Sequence, residues 1–245
     1  MALTGLYRDE GLEIYENSHY PHGEHITEVE QILSWYRAGK SRVLDIGCSG
    51  GLHAIEFSRN GFSVTGLDME SSAIERAKKR AGNMPGKAEF EVFDVEIDDF
   101  SHLGKFDLVY SIGNVLSHIR KNNILNVLKK IQGCMDENGI FLFDVLINEK
   151  PFRRRMLPGK KDIQIIWERK IDAKTGGISM DGTFLEYGFA QHFDVWGYSI
   201  EEILAMLKSS GFRNIEFSGK LDFAAKDKTK NPISLYFRAK GTGNL

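Results

Sequence analysis

The chain has 245 residues, of which 42% are apolar and 27% charged, and its formal net charge is −2. This length fits one large α/β domain, and the apolar fraction suffices for a complete core. The near-neutral charge gives no general attraction to polyanions, so nucleic acid is not an expected partner. No apolar run reaches about 18 residues, so no membrane-spanning helix is expected.

The N-terminus bears on the cellular location of the protein, and the cysteines on metal and disulfide sites. Residues 1–5 contain no basic region followed by an apolar stretch, so no signal peptide is predicted and the expected location is the cytoplasm. Cys48 and Cys134 lie far apart and form neither a metal-binding spacing nor a disulfide framework. No metal cofactor is therefore expected from them.

Strand-like and helix-like segments alternate from residue 42 to residue 145. Because the strands are separated by helices, they predict a parallel, doubly wound sheet. Asn138-Gly139 is the predicted turn before the last and most apolar of these strands. The predicted strands are 43–47, 63–68, 88–95, 106–112 and 140–145, and the predicted helices are 52–60, 71–82 and 121–135.

The pattern changes over residues 148–198. Three extended stretches cover 162–171, 177–181 and 183–196, with hairpin signals at 174–177 and at Asp181-Gly182. These stretches predict a small antiparallel β insertion.

The pattern of helices and strands then resumes at a Ser-x-x-Glu capping box formed by Ser199 and Glu202. The helix that it begins ends at Gly211. Two final strands are predicted at 213–219 and 233–239.

These segments together predict an α/β fold with a doubly wound, mostly parallel seven-stranded sheet and a C-terminal antiparallel strand pair. Residues 1–245 are expected to form a single domain. Ligands of such sheets bind at the carboxyl ends of the strands. The 148–198 insertion leaves the fifth strand at that edge, and residues 1–40 approach it. We therefore expect the N-terminal region to be a lid and the insertion to be a wall on the substrate side.

The most informative segment runs from Val43 to Gly51 and reads VLDIGCSGG. A buried strand, a tight glycine-rich turn and a helix start allow backbone N–H groups to approach a nucleotide-like ligand. Nicotinamide-binding folds share this arrangement, but their G-x-G-x-x-G fingerprint fails because Ser49 and Leu52 occupy glycine positions. The segment, with Asp45, Gly47 and Cys48 in it, instead resembles the first motif of class I S-adenosylmethionine (AdoMet) methyltransferases.

Two acids at strand ends extend this resemblance. Asp68 ends the second strand and can accept hydrogen bonds from both hydroxyls of a ribose, with Met69 beside it. Its alternative role is to cap the following helix. In the methyltransferases that the chain resembles, an acid at the position of Asp94 faces the adenine amino group and the next residue, Val95, packs on the ring. The alternative for Asp94 is an exposed acid in an acidic turn.

The fourth strand is followed by Gly113-Asn114-x-x-x-His118, preceded by Ile112. This element resembles the fourth motif of small-molecule N-methyltransferases of the glycine and amino-sugar type. The resemblance implies that Ile112 and Gly113 contact AdoMet. Asn114 and His118 lie about one helical turn apart and are expected to face one pocket as catalytic residues. Their alternatives are structural roles, such as capping a helix or packing in the core.

Further candidates come from the two peripheral segments. His192 precedes the capped helix by several residues, as a histidine does in related enzymes, and is a third catalytic candidate. The substrate is expected to contact Tyr7, Tyr15 and Tyr20 from the N-terminal region, and Tyr187 and Trp196 from the insertion.

Neither the three histidines of the N-terminal region nor the basic run in the insertion predicts a binding site. His19, His22 and His25 are spaced by three without an evident acid or cysteine partner, so no metal site is predicted. The basic run 153–155 is interpreted as a solvated surface.

The sequence thus predicts AdoMet-dependent methyl transfer to a small-molecule acceptor by in-line displacement, with an amine nitrogen as the expected acceptor. An O-methyltransferase and an RNA methyltransferase are the alternatives among methyltransferases. A nicotinamide-dependent oxidoreductase and a non-catalytic AdoMet-binding protein are the alternatives from other classes. The protein is expected to be a monomer or a homodimer without membrane association.

Overall fold

A computed structural model describes residues 5–37, 41–82, 87–147, 152–156, 165–172, 174–175, 177–224 and 234–241, with only the backbone for 152–156 and Lys87. The helices are α1 Asp9–His19, α2 Glu24–Trp35, α3 Leu52–Arg59, α4 Ser71–Ala81, α5 Val115–His118, α6 Ile124–Gly133 and α7 Ile200–Ser209. The strands are β1 Arg42–Ile46, β2 Ser63–Asp68, β3 Lys87–Val92, β4 Phe106–Ser111, β5 Met135–Leu146, β6 Phe152–Met156, β7 Ile165–Ile171, β8 Gly177–Phe184, β9 Phe189–Trp196, β10 Arg213–Ser218 and β11 Ser234–Lys240.

The main sheet has seven strands in the order β10-β11-β5-β4-β1-β2-β3. Strands β1 to β5 are parallel, whereas β11 runs antiparallel to β5 and β10 antiparallel to β11. The predicted fold class is therefore confirmed, including its C-terminal antiparallel pair. The carboxyl ends of β1, β2 and β4 meet at one edge, where the strand order reverses and a ligand is expected.

The sheet is covered on both faces, which explains why its central strands are apolar throughout. Leu44 and Ile46 of β1 pack into a core with α6 and α7, whereas Val43 packs on the opposite face with α2, α3 and α4. All three side chains are fully buried. Parallel strands are usually buried on both faces. Because β1 is held in this way, the position of the loop that follows it is fixed.

A second, antiparallel sheet has the order β6-β7-β8-β9. It adjoins the main sheet through a bridge between Ile147 and Tyr198 and through the Tyr198 N–H, which donates to the Leu146 carbonyl at 3.1 Å. Its apolar face packs against Leu6 and Ile14 from the N-terminal segment. This sheet therefore lies beside the carboxyl end of β5.

Two turns predicted from glycine signals are wrong. Asp181 and Gly182 lie inside β8, where they pair with His192 and Gln191 of β9. Gly182 leaves room there for the ring of Trp167, which a Cβ atom would approach to 2.7 Å. Asn138-Gly139 likewise lies within β5, at an irregularity in its pairing with β4.

How well the start of a helix is predicted depends on how specific its sequence signal is. The capping box is confirmed, because the Ser199 side chain accepts from the Glu202 N–H and the Glu202 side chain accepts from the Ser199 N–H. In contrast, α6 begins at Ile124 rather than at residue 121. Strand β6 was not predicted.

Candidate active site

A cavity of about 210 Å³ opens at the carboxyl ends of β1, β2 and β4. Side chains from α1, the loop after β1, the ends of β2 and β3, and α5 line it. Most of the residues expected to bind the cofactor meet here. The residues that line it include Tyr7, Tyr15, Gly47, Ser49, Asp68, Met69, Phe93, Asp94, Val95, Ile112, Gly113, Val115 and His118.

The glycine-rich loop forms one wall because its backbone must pass very close to α5. Gly47 has φ 77°, and a Cβ atom there would lie 2.5 Å from Cγ2 of Val115. The Gly47 and Cys48 N–H groups both donate to the carbonyl of Leu67, at 2.8 and 2.9 Å. The loop is thus fixed to the end of β2, and its glycine keeps the backbone exposed to the cavity.

Replacing Gly47 by alanine is expected to destabilise the protein by about 2 kcal/mol more than replacing Gly61 by alanine. Both positions have a positive φ, 77° and 91°, so both alanines carry the same backbone penalty of about 1 kcal/mol. Only Gly47 has a side chain in the way, since nothing lies within 4 Å of a Cβ at Gly61. Urea denaturation measures the difference; equal losses of stability would contradict the close approach.

Asp68 connects this loop to the second strand. Its carboxylate accepts the Ser49 N–H at 2.8 Å and the Glu70 N–H at 2.9 Å. Burial raises the pKa of Asp68, and the two backbone hydrogen bonds oppose that rise. A carboxylate held in this way at the end of the second strand suits a ribose, whose two hydroxyls are donors.

Three apolar side chains line the cavity beside the end of β3. They belong to Met69, Phe93 and Val95, and Asp94 lies among these lining residues, with its carboxylate accepting the Glu96 N–H at 2.9 Å. Met69 is 65% exposed, so its flexible thioether is available to cover a planar ring. These side chains fit an adenine base. Together with the exposed loop backbone and Asp68, they match the chemistry of AdoMet from adenine to ribose.

A smaller recess adjoins the cavity behind the glycine-rich loop. Asp45, Cys48, Tyr20 and His53 line it, and Gly47, Ser49, Tyr15 and Ile112 are shared with the main cavity. Burial raises the pKa of Asp45 to about 7. Asp45 and Cys48 are thus placed beside the loop rather than in the larger cavity, and Gly51 lies beneath it, where a Cβ would lie 2.9 Å from Ala77 and Phe90.

His118 faces the main cavity from the end of α5. Its ring lies edge-on to Tyr7 and to Phe193 of β9, with centroids 5.8 and 5.9 Å away. The side chain is open to the cavity but surrounded by protein, and this burial lowers the pKa of His118. The imidazole is therefore neutral at pH 7, with a nitrogen lone pair free to accept a proton or a hydrogen bond.

The structure does not bring all predicted catalytic residues to this cavity. His192 lies on the outer face of the insertion with 54% of its side chain exposed, hydrogen-bonded to Asp181 at 2.7 Å and Asp194 at 3.2 Å. Asn114 is not among the residues that line this cavity, and it forms the turn before α5. Its N–H donates to Asp144 at 2.7 Å.

The predicted substrate residues also divide. Tyr7 and Tyr15 line the main cavity and Tyr20 the recess. Tyr187 lies 42% exposed at the turn between β8 and β9, and Trp196 packs at the opposite end of β9, so the structure does not bring these two to the cavity.

Several residues at the site were missed by sequence reasoning. Phe193 could have been found, because strand alternation puts it on the face opposite to its neighbour His192. Glu16 could not. It pairs with Arg76 at 3.2 Å and Arg80 at 2.9 Å on α4, and Arg80 also donates to the Gly50 carbonyl. These contacts fasten α1 across the glycine-rich loop.

Two of the three histidines of the N-terminal region, His19 and His25, lie against aromatic side chains. The ring of His19 stacks on Tyr15, with centroids 4.3 Å apart, and His25 lies 6.1 Å from His53. In the part of the chain that the structure describes, no three His, Cys, Asp or Glu side chains are grouped to hold a metal ion. None of the described helices is long and apolar enough to span a membrane.

Comparison with known proteins agrees with this geometry. Residues 43–139 match the family described as methyltransferase domain. The chain is 24% identical over 226 residues to YqeM of Bacillus subtilis strain 168, which is named as a methyltransferase. The alignment covers 86% of this chain and 89% of the relative.

Two solved structures show the same fold. The CcbJ methyltransferase of Streptomyces caelestis has a TM-score of 0.79 at 12% identity over 97% of this chain and 98% of its own. CalS10 of Micromonospora echinaspora, an amino pentose methyltransferase with bound AdoMet, has a TM-score of 0.69 at 16% identity over 98% and 100%. The family match over residues 43–139 and the methyltransferase relatives together show that the protein is an AdoMet-dependent methyltransferase.

Proposed function

We propose that the protein transfers the methyl group of AdoMet to an amine nitrogen of a small molecule. The observation that carries this proposal is His118, a neutral imidazole on the cavity wall beyond the residues suited to the cofactor. A protonated amine has no lone pair with which to attack, so a group that accepts its proton favours transfer. The role of the cofactor is to supply an electrophilic methyl group on a sulfonium.

We assign the cofactor contacts as follows. Asp68 receives the ribose hydroxyls, Met69, Asp94 and Val95 surround the adenine, and Gly47, Ser49, Ile112 and Gly113 form the floor beneath the methionyl part. Asp45 and Cys48 support this floor from the recess. The exposed glycine backbone and the two strand-end acids support this assignment.

The acceptor is expected to lie between α1 and the insertion. Tyr7, Tyr15 and Phe193 form an aromatic wall around His118, with Tyr7 and Tyr15 in edge-to-face contact at 5.3 Å. These rings exclude water from one side of the cavity and limit the space to a small molecule. Alignment of the acceptor with the methyl group then supplies most of the catalysis, an effect that can reach several kcal/mol. On this proposal, the N-terminal region is the lid and the insertion a substrate wall of one domain.

The structural neighbour CalS10 is described as an amino pentose methyltransferase, so a small molecule that carries an amine is a compatible acceptor. An alcohol is a much weaker acid than a protonated amine, so its methylation requires removal of a proton by a stronger base or the help of a metal ion. O-methylation is the second candidate, because His118 is also placed to accept a proton from a hydroxyl.

AdoMet is expected to raise the melting temperature of the protein, and NADH or NADPH is not. At 100 times its dissociation constant, a ligand that binds only the folded state stabilises it by about 2.7 kcal/mol, which corresponds to a shift of a few degrees. Differential scanning fluorimetry with each compound measures this shift. A shift with NADH or NADPH alone would overturn the proposed function in favour of an oxidoreductase.

A further inference from the structure

Asp144 is a buried acid of β5 that the proposed chemistry does not use. Its side chain is 3% exposed, and its carboxylate accepts the backbone N–H of Asn114 at 2.7 Å. The backbone N–H of Gly113, the preceding residue, also favours the charged form of this carboxylate. The carboxylate thus faces two successive N–H groups of the turn that follows β4. Such charge-assisted hydrogen bonds are stronger than those between neutral groups.

The turn that Asp144 holds has an unfavourable backbone conformation. Gly113 has φ 99° and Asn114 has φ 61°, so two successive residues lie in the left-handed region. A non-glycine residue persists there only when its surroundings stabilise it. The carbonyl of Asn114 accepts the Ser117 N–H at 2.9 Å, so α5 begins directly from this turn. The conformation of the turn therefore sets the direction of α5.

Helix α5 is short, and both ends of its four residues contact the site. Val115 packs against the Gly47 backbone, and His118 projects into the cavity. A second contact with β5 comes from the Leu146 N–H, which donates to Oγ of Ser117 at 3.0 Å. A helix of one turn has little stability of its own, so its placement depends on these contacts with β5.

We propose that Asp144 is a positioning residue for methyl transfer, whose carboxylate holds the Gly113–Asn114 turn so that Gly113 faces the cofactor and His118 faces the acceptor. The part that concerns His118 rests on the proposed function. The part that concerns the turn does not. Asp144 touches neither ligand in this account and acts through the backbone of the turn.

Several ionisable groups face Asp144. Glu28 of α2, Tyr15 of α1, Tyr20 directly after α1, and Tyr236, its partner in the register of β11, all lie near it. Burial raises the pKa of Asp144 to about 7, and the two backbone N–H groups oppose that rise. Since the pKa of Asp144 in the folded protein lies above its ordinary value, the carboxylate that accepts hydrogen bonds from the turn forms as the pH rises through about 7.

The amide resonances of Gly113 and Asn114 in a nuclear magnetic resonance pH titration test the turn directly. In the wild type, both are expected to move together near pH 7 as their shared acceptor ionises. Asp144→Asn removes the ionisation but keeps the shape of the side chain, so it should abolish this movement. Ser117→Ala is the matched control, because it removes a different hydrogen bond, the one between α5 and β5, and should leave the titration in place.

Turnover and AdoMet affinity then separate positioning from stability. Methylation of a panel of small amines by Asp144→Asn should fall by roughly tenfold or more, since small misplacements of reacting groups have large effects on rate. Asp144→Ala should lose more. Amide resonances of Gly113 and Asn114 that are the same in Asp144→Asn as in the wild type, or wild-type turnover in both variants, would overturn the proposal. If the resonances titrate but no amine is methylated by the wild type, the proposed function fails and the role of Asp144 in the turn stands.

Discussion

Replacing Asp68 by alanine is expected to weaken AdoMet binding by roughly 100-fold or more. The lost carboxylate is the proposed acceptor of two ribose hydroxyl groups, and a hydrogen bond to a charged group contributes about 1.5 kcal/mol or more. The Ser49 and Glu70 N–H groups lose their acceptor in the same variant. Isothermal titration calorimetry with AdoMet measures the affinity, and circular dichroism establishes that the variant is folded.

Two further variants show whether this effect is specific. Asp68→Asn keeps an acceptor oxygen and should have an intermediate affinity. Glu70→Gln also alters a carboxylate on the cavity wall, but that carboxylate pairs with Arg8 at 2.6 Å. Loss of a partly exposed ion pair has a small effect, so affinity should stay within roughly fivefold of the wild type. Unchanged affinity in folded Asp68→Ala would contradict the assignment of the ribose site.

Replacing His118 by alanine is expected to lower turnover by roughly 100-fold or more while leaving AdoMet affinity nearly unchanged. Loss of a positioned general base has an effect of this size, and the ring faces the acceptor side of the cavity rather than the ribose or adenine. Formation of the demethylated cofactor over a panel of small amines measures turnover. His118→Asn, which retains a polar group without basicity, should also be slow.

A second histidine provides the matched control. His192 is exposed on the outer face of the insertion, so His192→Ala should retain wild-type turnover. Two outcomes would remove His118 from the mechanism. One is wild-type turnover in His118→Ala, and the other is an equal loss in both histidine variants.

Local signals explain how much of the fold could be predicted. The strands of the parallel sheet are apolar because they are buried on both faces, and the capping box of Ser199 and Glu202 requires only neighbouring residues. The turn predicted at Asp181-Gly182 is wrong because glycine occurs in two structural roles. It permits a turn, but within β8 Gly182 instead leaves space for Trp167, a residue on another strand. A contact between strands is not visible in a local pattern.

The residues of the site likewise differ in whether a local sequence pattern predicts them. Residues that are expected to bind through the backbone or at a strand end, such as Gly47 and Asp68, have a recognisable spacing, and the structure brings them together. His192 and Phe193 are adjacent in sequence but lie on opposite faces of β9, and only the alternation of the strand separates them. The contacts of Glu16 with α4 join segments about 60 residues apart, so they follow from tertiary packing alone.

The acceptor atom is the central claim, and isotopic labelling tests it most directly. The protein is incubated with AdoMet labelled in its methyl group and with pairs of small amines and the corresponding alcohols. We predict that the label appears on nitrogen in at least one amine and on none of the alcohols, as read by nuclear magnetic resonance of the products. Label on the oxygen of an alcohol, or no transfer to any amine by protein that binds AdoMet, would contradict the account.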